Sequence, residues 1–415
     1  MINESILKPA LSGALSVILP TAEETLLLRA CLSSGAAARR AWEEWQSRRN
    51  DSGTAFLAEN QSVKKLGLLV FDALRRSGLE VDKESQTYLR SAYLKEELRS
   101  KIFGRIFREI LMMLGNEGIP TLVLKGAALA ETVYDNPVLR HCHDIDILIR
   151  NQDMSRAATL LSSIGFKQVN PKSAPGSDDC NLEHESGLPL ELHTRLFKAV
   201  YYNAPLTELW ERSQKCFIAG VRARILTPAD NLLHVCGHAF YSPSRQSLRW
   251  VCDAWFIIER HRDLNWDLLL NCAVRSHLAL PLSITLGYLV KELNAPIPSG
   301  FLERLSAAAS KSKVIERELA LLGAHSSTTE SFMNLFRNIN NWRDRVFLIR
   351  WLLFPSPSYL FLVESVRRSW LLPFHYVYRL LRYARVRFRS RFAGPIRRIR
   401  WRIDRLFLRI NFRIP

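Results

Sequence analysis

Apolar residues recur at three- and four-residue spacing, with charges between them, over residues 26–31, 56–69 and 89–114. That period predicts amphipathic helices through residues 1–118, the last of them ended by Gly115 and Gly118. The period then shortens. Residues 119–124 form a β-favouring apolar run closed by Lys125-Gly126, which predicts a strand. Residues 127–134 predict a helix, and Asp135-Asn136-Pro137 a turn. Residues 144–149 alternate acids with aliphatics, the pattern of a half-buried strand. A helix over 154–164 ended by Gly165, a strand over 166–169 and a Pro/Gly/Ser/Asp loop over 170–179 follow. Residues 182–185 and 188–193 then predict a hairpin around Ser186-Gly187. The pattern over 205–345 is helical again, and beyond 346 apolar-basic segments are broken by Pro355, Pro357, Pro373 and Pro395. These periods divide the chain into a helical region (1–118), an α/β core (119–204), a second helical region (205–345) and a basic tail (346–415).

Composition sharpens the picture at two places. The 415-residue chain is 47% hydrophobic and 24% charged, as a folded globular protein is. Its net charge of +18 is concentrated: residues 367–413 hold fifteen arginines, no lysine and one acid, Asp404. Arguments about anionic partners therefore belong to that segment. Arginines there alternate with aromatic and aliphatic residues, as in Arg385-Val386-Arg387-Phe388-Arg389. Such a pattern suits an anionic membrane surface, or nucleic acid through phosphate contacts and base stacking, or a merely solvated helical extension. The seven cysteines are odd in number and have no C-x-x-C spacing, which argues against a disulfide framework or a zinc ribbon. A reducing, cytoplasmic compartment is expected, with the tail allowing a peripheral place at the inner membrane surface. No stretch of 18 uninterrupted apolar residues occurs; the nearest, 346–363, is interrupted by Arg350, Pro355 and Pro357.

The chemistry gathers around His143-Asp144-Ile145-Asp146-Ile147-Leu148. On a strand, residues two apart share a face, so Asp144 and Asp146 are expected side by side with Ile145 and Ile147 turned to a core. Paired carboxylates repel unless a cation lies between them. Mg²⁺ favours one or two carboxylates together with substrate phosphate oxygens. Upstream, a strand runs through Lys125-Gly126 into a helix, where glycine allows phosphate to approach and the helix N-terminus favours an anion. Downstream, Glu191 on an alternating strand offers a third carboxylate, with Glu183 and Glu185 as competitors for that place. Arg140 suits phosphate or a nearby acid equally. His141-Cys142-His143 lacks a second ligand pair at zinc spacing and is better read as loop packing. His234 and His238, at i and i+4, share a helix face, with structural hydrogen bonding or an acceptor pocket as their open roles. Arg249 and Asp253 are expected to form a structural helix pair.

Taken together, Leu124-Lys125-Gly126-Ala127-Ala128-Leu129, Tyr134, Arg140 and Asp144-Ile145-Asp146-Ile147-Leu148 resemble the bacterial uncharacterised nucleotidyltransferase family of the polymerase-β-like superfamily. Glu191-Leu192-His193, the pair His234 and His238, and Arg249-Trp250-Val251-Cys252-Asp253 extend the resemblance over roughly residues 90–260. It implies an α+β fold, a small mixed-sheet nucleotidyltransferase core flanked by N- and C-terminal helical regions. It further implies Asp144, Asp146 and Glu191 as metal ligands, Mg²⁺ as cofactor, and Lys125, Gly126 and Arg140 near the triphosphate of an NTP. The expected activity is transfer of a nucleoside monophosphate to a hydroxyl on a small molecule, a protein or an RNA. One departure stands out: the superfamily usually places serine or glycine after the first-strand glycine, and this chain has Ala127. That feature supports a rival reading, a catalytically silent binding or scaffold module. Retention of both aspartates and a third carboxylate speaks against it.

Overall fold

A computed structural model describes residues 18–48, 61–169, 180–197, 204–241 and 248–313, together with 202, 316–317, 320, 354, 357, 360 and 369–378. Chain contacts divide it into two units, 1–327 and 328–415.

In the first unit, helices α1 (Ala22–Leu32), α2 (Gly35–Ser47), α3 (Gln61–Ser77) and α4 (Lys83–Asn116) precede the sheet. Thr21 and Glu24 cap α1 reciprocally, and Asp82 accepts from the Ser85 amide to start α4. Four elements then carry the site: β1 (Leu122–Leu124), α5 (Lys125–Thr132), β2 (Ile145–Leu148) and β5 (Pro189–His193). Between the last two lie α6 (Met154–Ser162), β3 (Phe166–Gln168) and β4 (Cys180–His184). Helix α7 (Leu206–Arg212) leads to the hairpin β6 (Gln214–Ile218) and β7 (Val221–Ile225). Helices α8 (Pro228–Tyr241), α9 (Arg249–Arg260), α10 (Trp266–Arg275), α11 (Ala279–Leu293) and α12 (Ser299–Ser310) follow.

The seven strands form one mixed sheet in the order β3-β4-β5-β2-β1-β7-β6. β2 runs antiparallel to β1 and parallel to β5, while β1 runs parallel to β7. Alternation gives the sheet two unlike faces. Ile145 and Ile147 of β2, Leu190 and Leu192 of β5 and Val123 of β1 enter a core with Ile110 and Leu114 of α4 and Leu161 of α6. The intervening positions, Asp146, Glu191 and His193, fall on the opposite face. Burying each of those aliphatic side chains contributes about 1.5–3 kcal/mol, which fixes which face the acids occupy.

Two features depart from the sequence pattern. The hairpin β6–β7 lies where 205–345 reads as helical. Val221, Ala223 and Ile225 alternate with Arg222 and Arg224, and Ala219 and Gly220 both take positive φ (50° and 72°) in the two-residue turn. This hairpin extends the sheet beyond residue 204. Asp144 lies just before β2 rather than within it. The loop 170–179 is outside the described residues.

In the second unit the described residues include a 3₁₀ turn, Ser369–Leu371, and helical residues 372–378, with the Trp370 and Phe374 rings 6.4 Å apart. Apart from 369–378, the Arg-rich segment 367–413 is outside the described residues. Among the described residues no helix is long and apolar enough to cross a membrane.

Candidate active site

Strand register builds the centre of the site. In the parallel pair β2–β5, Asp146 is the direct partner of Glu191, and Leu148 of His193. Across the antiparallel pair, Asp146 faces Leu124, the residue before Lys125. Three segments remote in sequence therefore bring an acid, a second acid, an imidazole and an ammonium to one place.

Asp146 is 2% exposed and accepts two charged or polar neighbours on the same oxygen. Lys125 Nζ lies 2.6 Å from its Oδ1, and His193 Nε2 lies 2.8 Å from that atom. His193 Nε2 is also 3.5 Å from Glu191 Oε2. Burial pushes the Asp146 carboxyl up, but the His193 hydrogen bond and the Lys125 ammonium outweigh it and hold the group well below the usual carboxylate range. Asp144 goes the other way: burial and then the neighbouring Asp146 charge raise it, with Lys125 opposing and Glu191 reinforcing the rise. Asp144 thus senses both Asp146 and Glu191, and the two aspartates are shifted in opposite directions.

Lys125 adopts φ +48°, a left-handed conformation uncommon for a residue with a side chain. The turn from β1 into α5 aims its ammonium at Asp146. Gly126 next to it has a packing reason: a Cβ there would lie 3.1 Å from Arg140 Nη1 and 3.2 Å from Cys142 Sγ.

Arg140 is committed to a structural fork. Its Nε and Nη2 donate to Asp253 Oδ1 and Oδ2 at 2.7 and 2.9 Å, and its Nη1 donates to the His141 carbonyl at 2.6 Å. Tyr134 donates to the same Asp253 at 2.7 Å. Burial opposes the Arg140 charge, but Asp253 more than offsets it. Asp253 thereby pairs with an arginine 113 residues upstream. On the other side of the loop, Glu96 of α4 lies 2.8 Å from His141 Nδ1. The loop preceding β2 is clamped between α4 and α9, which fixes the approach to Asp144 and Asp146. Burial raises the Cys142 thiol to about 11, so it stays protonated at neutral pH.

Helix α8 packs beside α5 and carries His234, which is 1% exposed. Its Nε2 has no hydrogen-bond partner among the described residues. Burial, and then the Lys125 charge, pull it well below the usual imidazole value, so it is neutral. Asp146 and His193 are among the groups it senses, which places it at the edge of the same site.

Asp146, Glu191 and His193 offer one ligand atom each, all within 4.8 Å of one another, the one such group among the described residues. Donors adjacent on one ion, at bond lengths of about 2.1–2.3 Å, are roughly 3 Å apart. The observed separations of 2.8 and 3.5 Å fit that spacing, so the residues present fit a divalent cation. His193 is the member that the sequence motif contained but left without a role.

A mixed sheet with acids on adjacent central strands, and a helix starting at the end of the neighbouring strand, is the layout of a nucleotidyltransferase core flanked by helices. A model of the family described as "Uncharacterised nucleotidyltransferase" matches residues 57–294, more than half of the chain, and the chain belongs to that family. No curated protein matches the chain.

Proposed function

We propose that the protein transfers a nucleoside monophosphate from an NTP to an acceptor hydroxyl, with Asp144, Asp146 and Glu191 holding Mg²⁺. The observation that carries this reading is the cross-strand pairing of Asp146 with Glu191 beside Lys125, within a nucleotidyltransferase family. When bound, the metal neutralises the triphosphate and the departing pyrophosphate. The acceptor oxygen bonds to the α-phosphorus, the bond from that phosphorus to the β-phosphate bridging oxygen breaks, and pyrophosphate leaves with the bond's electron pair. The acceptor proton passes to a carboxylate, a role we assign to Glu191. Lys125 is the cation that receives the triphosphate. Gly126 keeps the backbone open there, and Arg140 supports the site by fixing the loop before Asp144. Ala127 leaves the superfamily's hydroxyl contact to phosphate to be replaced by Lys125. The neutral, buried His234 lines the acceptor side.

The reading extends to the tail, where 367–413 is proposed to meet an anionic partner, a membrane surface or a nucleic acid, from a cytoplasmic location.

The test is product analysis. Incubation with α-labelled NTP, Mg²⁺ and a small-molecule, protein and RNA acceptor panel should yield labelled acceptor and equimolar pyrophosphate, lost in Asp146→Asn. Absence of pyrophosphate with every acceptor, while NTP still binds, would favour the silent-module reading.

A further inference from the structure

We infer that His193 is itself a metal ligand, so that one seat of the site is a mixed nitrogen–oxygen set that prefers a first-row transition dication to Mg²⁺. This rests on the reading of Asp146 and Glu191 as metal-holding residues and goes beyond it in naming the third donor and the class of ion.

Three observations converge. The first is backbone placement. Glu191 and His193 are two apart on β5 and share a face, and His193 is locked in register opposite Leu148. Its carbonyl also accepts from the Ile149 amide at 2.9 Å. The imidazole is therefore presented by the middle of a sheet, not by a loop. The second is convergence. His193 Nε2 reaches both carboxylates, 2.8 Å from Asp146 Oδ1 and 3.5 Å from Glu191 Oε2. Asp144 is not in the compact group; the closest three-donor set includes the imidazole in its place. The third is burial. His193 is 4% exposed and Asp146 2%, so two of the three donors lie in a low-dielectric setting, while the half-buried Glu191 leaves the site open on one side.

Donor chemistry then selects the ion. Carboxylates alone suit Mg²⁺, Ca²⁺ and Mn²⁺, whereas an imidazole shifts preference toward the first-row transition metals. Mn²⁺ satisfies both donor types. The Lys125 ammonium, 2.6 Å from Asp146 Oδ1, stands where that ion's charge would be felt. Binding of the ion takes the place of the His193 Nε2 proton, which is released, and of the ammonium, which frees Lys125 for phosphate. Asp144 remains available to a second ion carried in with the NTP.

Mn²⁺ is the probe. The full-length protein is stripped with EDTA and titrated with Mn²⁺ and with Mg²⁺ by competition calorimetry, and the Mn²⁺ form is examined by electron spin-echo envelope modulation. The expected result is Mn²⁺ binding at least about tenfold tighter than Mg²⁺, with a directly coordinated ¹⁴N signal. His193→Gln should lose that signal and bring the two affinities within about threefold of each other. Should His193→Gln fail to fold by circular dichroism, replacement of the ¹⁴N coupling by a ¹⁵N one in wild type labelled with ¹⁵N-histidine shows that the ligand is a histidine, and His193→Asn replaces His193→Gln as the variant that should lose the signal. A His234→Leu variant, which should keep the signal, excludes the other nearby imidazole. Mn²⁺ bound without nitrogen coupling, or a Mn²⁺ preference unchanged in His193→Gln, overturns the inference and leaves the transferase reading standing. Failure of either ion to bind, with and without NTP, overturns both.

Discussion

The Lys125 ammonium lies 2.6 Å from Asp146 Oδ1, the oxygen that also meets His193 Nε2. One carboxylate oxygen is thus shared by the side chain expected to receive phosphate and the side chain that completes the metal-fitting group. Lys125 reaches it from a left-handed turn, φ +48°, a strain that the site keeps.

Lys125 and a metal ion compete for Asp146, whereas Lys125 and the triphosphate attract. Lys125→Met should therefore strengthen binding of a divalent ion alone and weaken NTP binding, each by about tenfold, as expected for loss of a charge-assisted contact. Calorimetry of metal and NTP separately checks it. Weakening of both would show that Lys125 only supports the fold.

Acid stability follows from the two aspartates with opposite signs. The folded Asp146 carboxyl lies below its ordinary value of 3.8. Its stabilisation is present above the unfolded value and is lost as pH falls toward the folded one. Asp144 lies above 3.8, so its ionised form disfavours the fold and protonation relieves that cost. Urea unfolding should show stability falling from pH 5 to pH 3, with the lower limb flattened in Asp146→Asn. An unchanged slope in that variant would contradict the assignment.

Gly126 and Arg140 are expected to act through packing. Gly126→Ala presses a methyl onto a guanidinium pinned by Asp253, and should cost about 1–3 kcal/mol. Arg140→Lys loses the two-pronged contact and should cost a similar amount, about 1–3 kcal/mol. Because the two changes disturb one contact, the double variant should cost less than the sum, measured by chemical denaturation.

His234 should separate stability from function. Its buried Nε2 has no hydrogen-bond partner among the described residues, so His234→Leu should change stability by no more than about 1 kcal/mol. Acceptor-dependent turnover should fall while NTP binding persists. An equal fall in NTP binding would place His234 on the donor side instead.

Much of the site was legible because alternation carries it. Ile145 and Ile147 had to face a core, which turned Asp146 to the opposite face of the sheet, and the same parity put Glu191 and His193 on one face of β5. What alternation cannot give is which strands are neighbours. The Asp146–Glu191 pairing is a register between strands some 45 residues apart, and without it the histidine two places after Glu191 had no chemistry to join. Arg140 shows the same limit: only the fold reveals that its acid is Asp253, 113 residues on. The hairpin β6–β7 is hard to read from the sequence because its strands are only five residues long, carry the exposed Lys215 and Arg222, and sit between helical stretches. Asp144, read as part of a strand, lies just before it, where Arg140 and His141 are clamped from two sides.

The most direct test is a thermal-shift panel of the four NTPs, with Mg²⁺ or EDTA, on wild type and Asp144→Ala/Asp146→Ala. A ligand bound only by the folded state at about 100 times its Kd stabilises by roughly 2.7 kcal/mol, a clear rise in Tm. The account predicts a metal-dependent rise with at least one NTP that the double variant loses. A rise that persists in EDTA and in the double variant would contradict a metal–triphosphate site built on these aspartates.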